Sequence, residues 1–212
     1  RKLVHRFLAL EEEVRSLRRE VAGRVRIASI YSVGLSHLSR KVQQFMGRHP
    51  KANVRVEYQH PKRVYELVEN DSVELGLVSY PKSSRTIKAL PWREEPMVVV
   101  CAPSHAFAGR QTLRLEELDG QPMVAFDGEL TIRREIDRAL DAHDVSAPVA
   151  MEFDNIETIK RAIEIDAGIG LLPAPTIARE VQWGSLAAIP LANAELVRPL
   201  GGDLHDELAV EA

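Results

Sequence analysis

Hydrophobic and polar positions follow two different rhythms along this chain. In the first 23 residues, RKLVHRFLALEEEVRSLRREVAG, the apolar side chains Leu3, Phe7, Leu10, Val14, Leu17 and Val21 recur in alternating steps of four and three. That is the two-position seam of a coiled coil, narrow for a helix lying on its own core and suited to one that meets another helix. Charges of both signs fill the gaps, and Gly23 stands where a glycine ends a helix. The seam begins without a preceding N-cap, so the chain reads as a piece of something longer.

From Val25 onward the rhythm changes to short apolar runs alternating with helical stripes. VRIASI (Val25 to Ile30) predicts a buried strand, with Ser29 or Ser32 placed to cap the next helix, whose face would be Leu35, Leu38, Val42 and Phe45. VRVEY (Val54 to Tyr58) predicts a strand, Pro61 opens a helix bearing Val64, Leu67 and Val68, and LGLV (Leu75 to Val78) is a third strand. Strand, helix, strand, helix, strand at this spacing implies a parallel, right-handed α/β unit, whose ligands gather at the carboxyl ends of the strands. A second unit follows. It has a long apolar strand in Glu95 to Pro103, a strand at Met123 to Phe126 and a helix carrying Ile132, Ile136 and Leu140. VAMEF is the next strand, Asn155 can cap a helix bearing Ile156, Ile159 and Ile163, GIGLLP is a short strand, Pro175 to Val181 a short helix and Leu186 to Leu191 a return strand.

Composition narrows the function. With 45% hydrophobic and 28% charged residues the chain suits a globular body, and its net charge of −3 supplies no basic field for nucleic acid. A single cysteine, Cys101, rules out an intramolecular disulfide and makes a cytoplasmic setting the default. The charged, amphipathic front is not a signal peptide, and the apolar run PMVVVCAP is too short to span a bilayer.

Chemistry is sparse. The seven histidines are scattered without ligand spacing, so no metal is expected. No G-x-S-x-G elbow is present, the acidic residues suggest no catalytic pair, and Cys101 inside an apolar strand reads as a small hydrophobe. The Gly-x-Gly of AGIGLLP lacks a third glycine; close packing and room for backbone beside a cleft are equally good readings. The polar residues at strand-to-helix turns say more. Ser29 and Ser32 follow the first strand, Ser79 and Tyr80 the third, and Thr131 opens the helix after MVAFDGEL. Singly each is a cap or turn residue; together they recur at one end of successive units, where hydroxyls and free helix amides can converge on a small anion.

The blocks GRVRIASI, FMGRHPKANVRVEY, RVYELVENDSVELGLVSYP, EPMVVVCAPSHAFAG, LRLEELDGQPMVAF, EFDNIETIKRAIEIDAGIGLLPAPTIAREV and LVRPLG, in this order and spacing, resemble the linker helix and effector-binding domain of LysR-type transcriptional regulators. The resemblance runs from the first residue to about Gly201; the tail GGDLHDELAVEA departs from the family's closing strand and helix, and the family's N-terminal winged helix-turn-helix is not in this sequence. It implies an α/β fold of two Rossmann-like subdomains resembling type 2 periplasmic binding proteins. The expected division is a linker and dimerisation helix at 1–23, subdomain I at 24–94 and 194–212, and subdomain II at 95–193, with crossings near Glu95 to Cys101 and Leu191 to Pro199.

The resemblance further implies a regulator that binds a small anionic effector between the subdomains. Tyr31, Ser32, Ser79, Tyr80, Phe126, Thr131, Asn155 and Ile156 would line the cleft, with Gly170 letting backbone approach. It implies a cytoplasmic homo-oligomer, dimer or tetramer, touching DNA only through the helix-turn-helix domain, with no membrane, no cofactor and no enzymatic activity. The rival reading is a transport solute-binding protein of the same two-lobed fold, which would leave the heptad helix unexplained.

Overall fold

The computed structural model describes residues 21–205, with side chains as far as Asp203. The heptad seam therefore lies outside the described residues except for Val21. That residue and Ala22 are not helical, and Val21 is exposed. Gly23 begins a strand rather than ending a helix, with φ +125°, a conformation that favours glycine.

β1 (Gly23–Ser29) and β2 (Ala52–Tyr58) are parallel neighbours, and β3 (Leu75–Ser79) joins the other side of β1, also parallel. The connections are two helices, the first of them α1 (residues 31–48). α2 (Pro61–Glu69) starts on Pro61, whose fixed φ suits a first helical residue, and His60 caps it by accepting from the Lys62 amide at 3.4 Å. Its buried stripe is Val64, Leu67 and Val68, as the spacing predicts.

α1 departs from its predicted face. It runs as Tyr31–Val33, a π turn over Gly34–Leu38, then Ser39–Arg48. The wider turn breaks the three-and-four bookkeeping on which the stripe rests, so Leu38 is buried while Leu35 and Phe45 stay exposed. Gly34 makes room there for the Tyr58 ring: a Cβ would lie 2.0 Å from it, so the ring would have to move.

β4 (Ile87–Cys101) is longer than its apolar run, because its first half pairs antiparallel with β9 (Val197–His205) and its second half with β7 (Gly170–Pro173) and β8 (Ala187–Pro190). The tail after Gly201 is thus strand as far as His205. The main sheet runs β2-β1-β3-β9-β4-β7, with β8 also on β4, and β5 (Met123–Phe126) and β6 (Val149–Phe153) form a parallel pair beside it. α3 (Thr131–Asp141), α4 (Ile156–Glu164) and α5 (Ala178–Trp183) complete the fold.

Two hydrophobic clusters form. One gathers Ile27, Val33, Val64, Val68, Leu77, Val78, Ile87 and Leu200. The other gathers the apolar half of β4 with Val124, Ile132, Ile136, Ile159, Ile163, Leu171, Leu172 and Ile189. β4 and β9 run side by side between them, pairing Glu95 with Arg198 at the crossing.

Candidate functional site: a cavity between the two clusters

A cavity of about 310 Å³ opens between the clusters, at the small end of the roughly 300–1,000 Å³ usual for ligand pockets. Four helices begin at its wall, through Tyr31 and Ser32 of α1, Pro61 and Lys62 of α2, Thr131 and Ile132 of α3, and Asn155 and Ile156 at the start of α4. Each turns its N-terminal end, and with it the positive end of its dipole, toward the same space.

The most buried charge at the wall is Arg198, 1% exposed. Its Nε donates to Glu95 Oε2 at 2.9 Å, its Nη2 donates to the same oxygen, and its Nη1 donates to Ser32 Oγ at 2.8 Å. Behind Glu95 stands His37. Arg93 Nη1 lies 3.2 Å from His37 Nδ1, and since a guanidinium only donates, Nδ1 accepts and Nε2 carries the proton it gives to Glu95 Oε1. Burial pushes the Glu95 carboxyl up, but the His37 hydrogen bond and the Arg198 charge outweigh it and hold the group below the usual carboxylate range. Burial pulls the Arg198 guanidinium down against the pull of Glu95.

Tyr80, just after β3, has φ +53°, a costly conformation for a bulky side chain. Its amide donates to Pro199 O at 2.8 Å, holding the strained residue against β9 at the cavity wall. Burial pushes its phenol up to about 12, so it stays a neutral hydroxyl. At the mouth, Lys62 Nζ reaches Glu129 Oε2 at 2.7 Å, spanning from α2 to the turn before α3.

The structure gathers eight of the nine residues predicted for the cleft, namely Tyr31, Ser32, Ser79, Tyr80, Phe126, Thr131, Asn155 and Ile156. Gly170 is not among the lining residues. Its bare Cα faces Ile163, whose Cδ1 would lie 2.6 Å from a Cβ, so this glycine serves close packing of α4 on β7. The capping roles divide unexpectedly. Asn155 caps α4, its Oδ1 accepting from the Glu157 amide at 2.8 Å. Neither Ser29 nor Ser32 caps α1: Ser29 Oγ donates to Ile30 O, and Ser32 is held by Arg198. Thr131 is the first residue of α3, and its hydroxyl accepts from Arg134 Nη2 at 2.9 Å. Sequence reading missed Arg198, Lys62, Tyr65, Lys82, Glu129 and Arg134 in the lining. The arginine in LVRPLG offered one signal, a lone cation in a run otherwise suited to burial.

Comparison with known proteins agrees with this geometry. The LysR substrate binding domain family matches residues 18–201, and the chain belongs to that family. A probable RuBisCO transcriptional regulator of Gracilaria tenuistipitata var. liui is 26% identical over 205 residues, covering 92% of this chain and 66% of the relative. An uncharacterized HTH-type transcriptional regulator of Escherichia coli (strain K12), YeiE, is 29% identical over 203 residues, covering 94% and 69%. The chain thus spans about two thirds of the length of these relatives. Among solved structures, the CcmR regulatory domain of Synechocystis PCC6803 in complex with 2-PG superposes with a TM-score of 0.77 at 21% identity, covering 87% of this chain and 88% of that one. The fold is that of LysR effector-binding domains, similar to type 2 periplasmic binding proteins. Among the described residues no helix is long and apolar enough to cross a membrane.

Proposed function

We propose that this chain is the sensor of a cytoplasmic LysR-type transcriptional regulator, binding a small anion in the cavity and passing its occupancy to a DNA-binding domain. The observation that carries the reading is the convergence of four helix starts and the buried Arg198 on one cavity. Partial positive charge from the helix starts suits an anion. Tyr31, Ser32, Ser79, Tyr80, Phe126, Thr131, Asn155 and Ile156 are its contacts. The lobes divide as residues 24–94 with 194–212, and 95–193, and a ligand touching both favours one closure state over another.

Binding without turnover belongs to the same reading. A serine nucleophile needs a base, and Ser32 Oγ is instead held by a guanidinium that cannot take a proton. Oligomerisation, as a dimer or tetramer, runs through the heptad seam of Leu3, Phe7, Leu10, Val14 and Leu17 and through the sensor bodies side by side. DNA contact belongs to a helix-turn-helix domain.

Thermal shift with a panel of small acids tests the reading, since a ligand of the folded state raises the melting temperature by mass action. A hydrogen bond to a charged ligand is worth about 1.5–3 kcal/mol, so Ser32→Ala weakens the hit about tenfold or more in calorimetry. The ligand is recovered unchanged. Affinity indifferent to both Ser32→Ala and Thr131→Ala, or turnover of the bound acid, defeats it.

A further inference from the structure

Two irregularities of the backbone meet outside the cavity. Along β4 the register against β9 slips: Pro91 stands opposite Gly201 and Arg93 opposite Leu200, so Trp92 is the extra residue of a β-bulge. Facing it is the π turn of α1, Gly34–Leu38, which carries His37. Wide helical turns and strand bulges both concentrate at functional places, and here one side chain joins the two. The His37 ring stands edge-on to Trp92, with centroids 5.6 Å apart and planes at 83°. The Arg93 guanidinium lies 5.9 Å from the centre of the Trp92 ring. None of the three lines the cavity.

His37 is held between an acceptor and a donor. Its Nε2 donates to Glu95 Oε1, and its Nδ1 accepts from Arg93 Nη1 at 3.2 Å. Only the neutral ring can do both. A proton added at Nδ1 leaves two donors and two positive charges facing each other across that contact. The two sides differ in how far they can yield. Glu95 is wholly buried, and its other oxygen is held by Arg198 of β9, which in turn holds Ser32 of α1. That bond stays, and a charged imidazole strengthens it. Arg93 is exposed and can carry its head group into water. The break therefore falls on the Arg93 side, and Trp92 loses the cation over its face. Among the described residues the charged groups around His37 are thus Glu95 and Arg93 of β4 and, one bond further, Arg198 of β9.

We propose that His37 is a proton-operated latch between α1 and β4: neutral, it ties the bulge at Trp92 and Arg93 to the π turn; protonated, it keeps Glu95 and lets Arg93 go. The chain thereby answers to acidity at a joint outside the cavity lining. α1 starts at the cavity wall with Tyr31 and Ser32, so the joint lies further along the same helix. The latch does not depend on what the cavity binds.

Tryptophan fluorescence of the purified chain tests it. Of the two tryptophans, Trp183 is 73% exposed, so Trp183→Phe leaves Trp92 as the reporter without touching the core. In that background, acidification from about pH 8 to about pH 5, the span over which imidazoles charge, shifts Trp92 emission to longer wavelength and raises its quenching by acrylamide. The change is reversible, and far-UV circular dichroism stays constant. Two further variants assign it. In His37→Gln the amide donates to Glu95 and the carbonyl accepts from Arg93, so the latch stays closed and both signals are flat. In Arg93→Gln the amide donates to the neutral ring and the carbonyl accepts from the protonated one, so the contact holds in either state and both signals are again flat. Signals from the Trp183→Phe chain that ignore pH overturn the latch. A shift that survives in His37→Gln belongs to another titrating group, the buried Asp203 among them, and overturns it. So does a shift that survives in Arg93→Gln, or one that comes only with loss of circular dichroism.

Discussion

Asp203 is the residue whose environment is least like its chemistry. It is fully buried on β9 opposite Gly76 and Ala89, and both carboxylate oxygens lack a hydrogen-bond partner among the described residues. Desolvation pushes its carboxyl from 3.8 up to about 7. The sign follows directly: between those values the folded chain holds a proton that the unfolded chain gives up. Its contribution to stability is therefore full below about pH 4, falls as pH rises to about 7, and is flat beyond, amounting to a few kcal/mol at roughly 1.4 kcal/mol per unit. Asp203→Val removes the ionisable group, so chemical denaturation at pH 8 finds the variant more stable than the parent, with the gap closing or reversing at pH 5. A gap independent of pH contradicts the assignment. Cys101, buried in β4, fits its early reading as a small hydrophobe; burial pushes its thiol up to about 11, far from a reactive thiolate.

At the scale of elements, α4 is held to the segment after β7 by a buried cation that periodicity could not reveal. Lys160 is 5% exposed, its Nζ 2.8 Å from Glu180 Oε1 on α5 and 2.8 Å from Glu157 Oε1 one turn before it. Glu180 Oε2 has no hydrogen-bond partner among the described residues. Lys160→Ala leaves the Glu180 charge buried and uncompensated, a loss on the order of 3–5 kcal/mol. The double change Lys160→Met with Glu180→Leu replaces the pair by apolar volume and recovers most of it. A double-mutant cycle by urea denaturation reads this non-additivity, and additive losses would show that the pair is not coupled.

Across the whole molecule, an exposed ion pair at the cavity mouth joins α2 to the turn before α3. Lys62 and Glu129 are each about 70% exposed, so their pairing is worth only about 0–1 kcal/mol in stability. Its effect on ligand entry is a separate matter: Glu129→Gln frees Lys62 and removes a negative charge from the path an anion would take into the cavity. The expected outcome is an unchanged melting temperature without ligand, with faster anion association whose advantage shrinks at high salt. Stopped-flow binding at two ionic strengths checks this, and an association rate unmoved at low salt refutes it.

What the sequence by itself determined is local and periodic. Pro61 and the stripe Val64, Leu67 and Val68 dictate α2, Asn155 and the isoleucines dictate α4, and MVAF and VAMEF are strands because each is a short β-forming run between turn signals. Helix starts follow strand ends in such units, so Ser32, Ser79, Thr131 and Asn155 could be placed at one end of the fold before any coordinates. Tertiary structure decided the rest, because long-range partners override local preference. The π turn in α1 moves Leu35 and Phe45 off the core, and Gly170 answers to Ile163 rather than to the cleft. Arg198 reaches Ser32 across 166 positions and Glu95 across 103. No spacing rule connects residues so far apart; only the side-by-side passage of β4 and β9 brings the arginine to the cavity and gives its charge a partner.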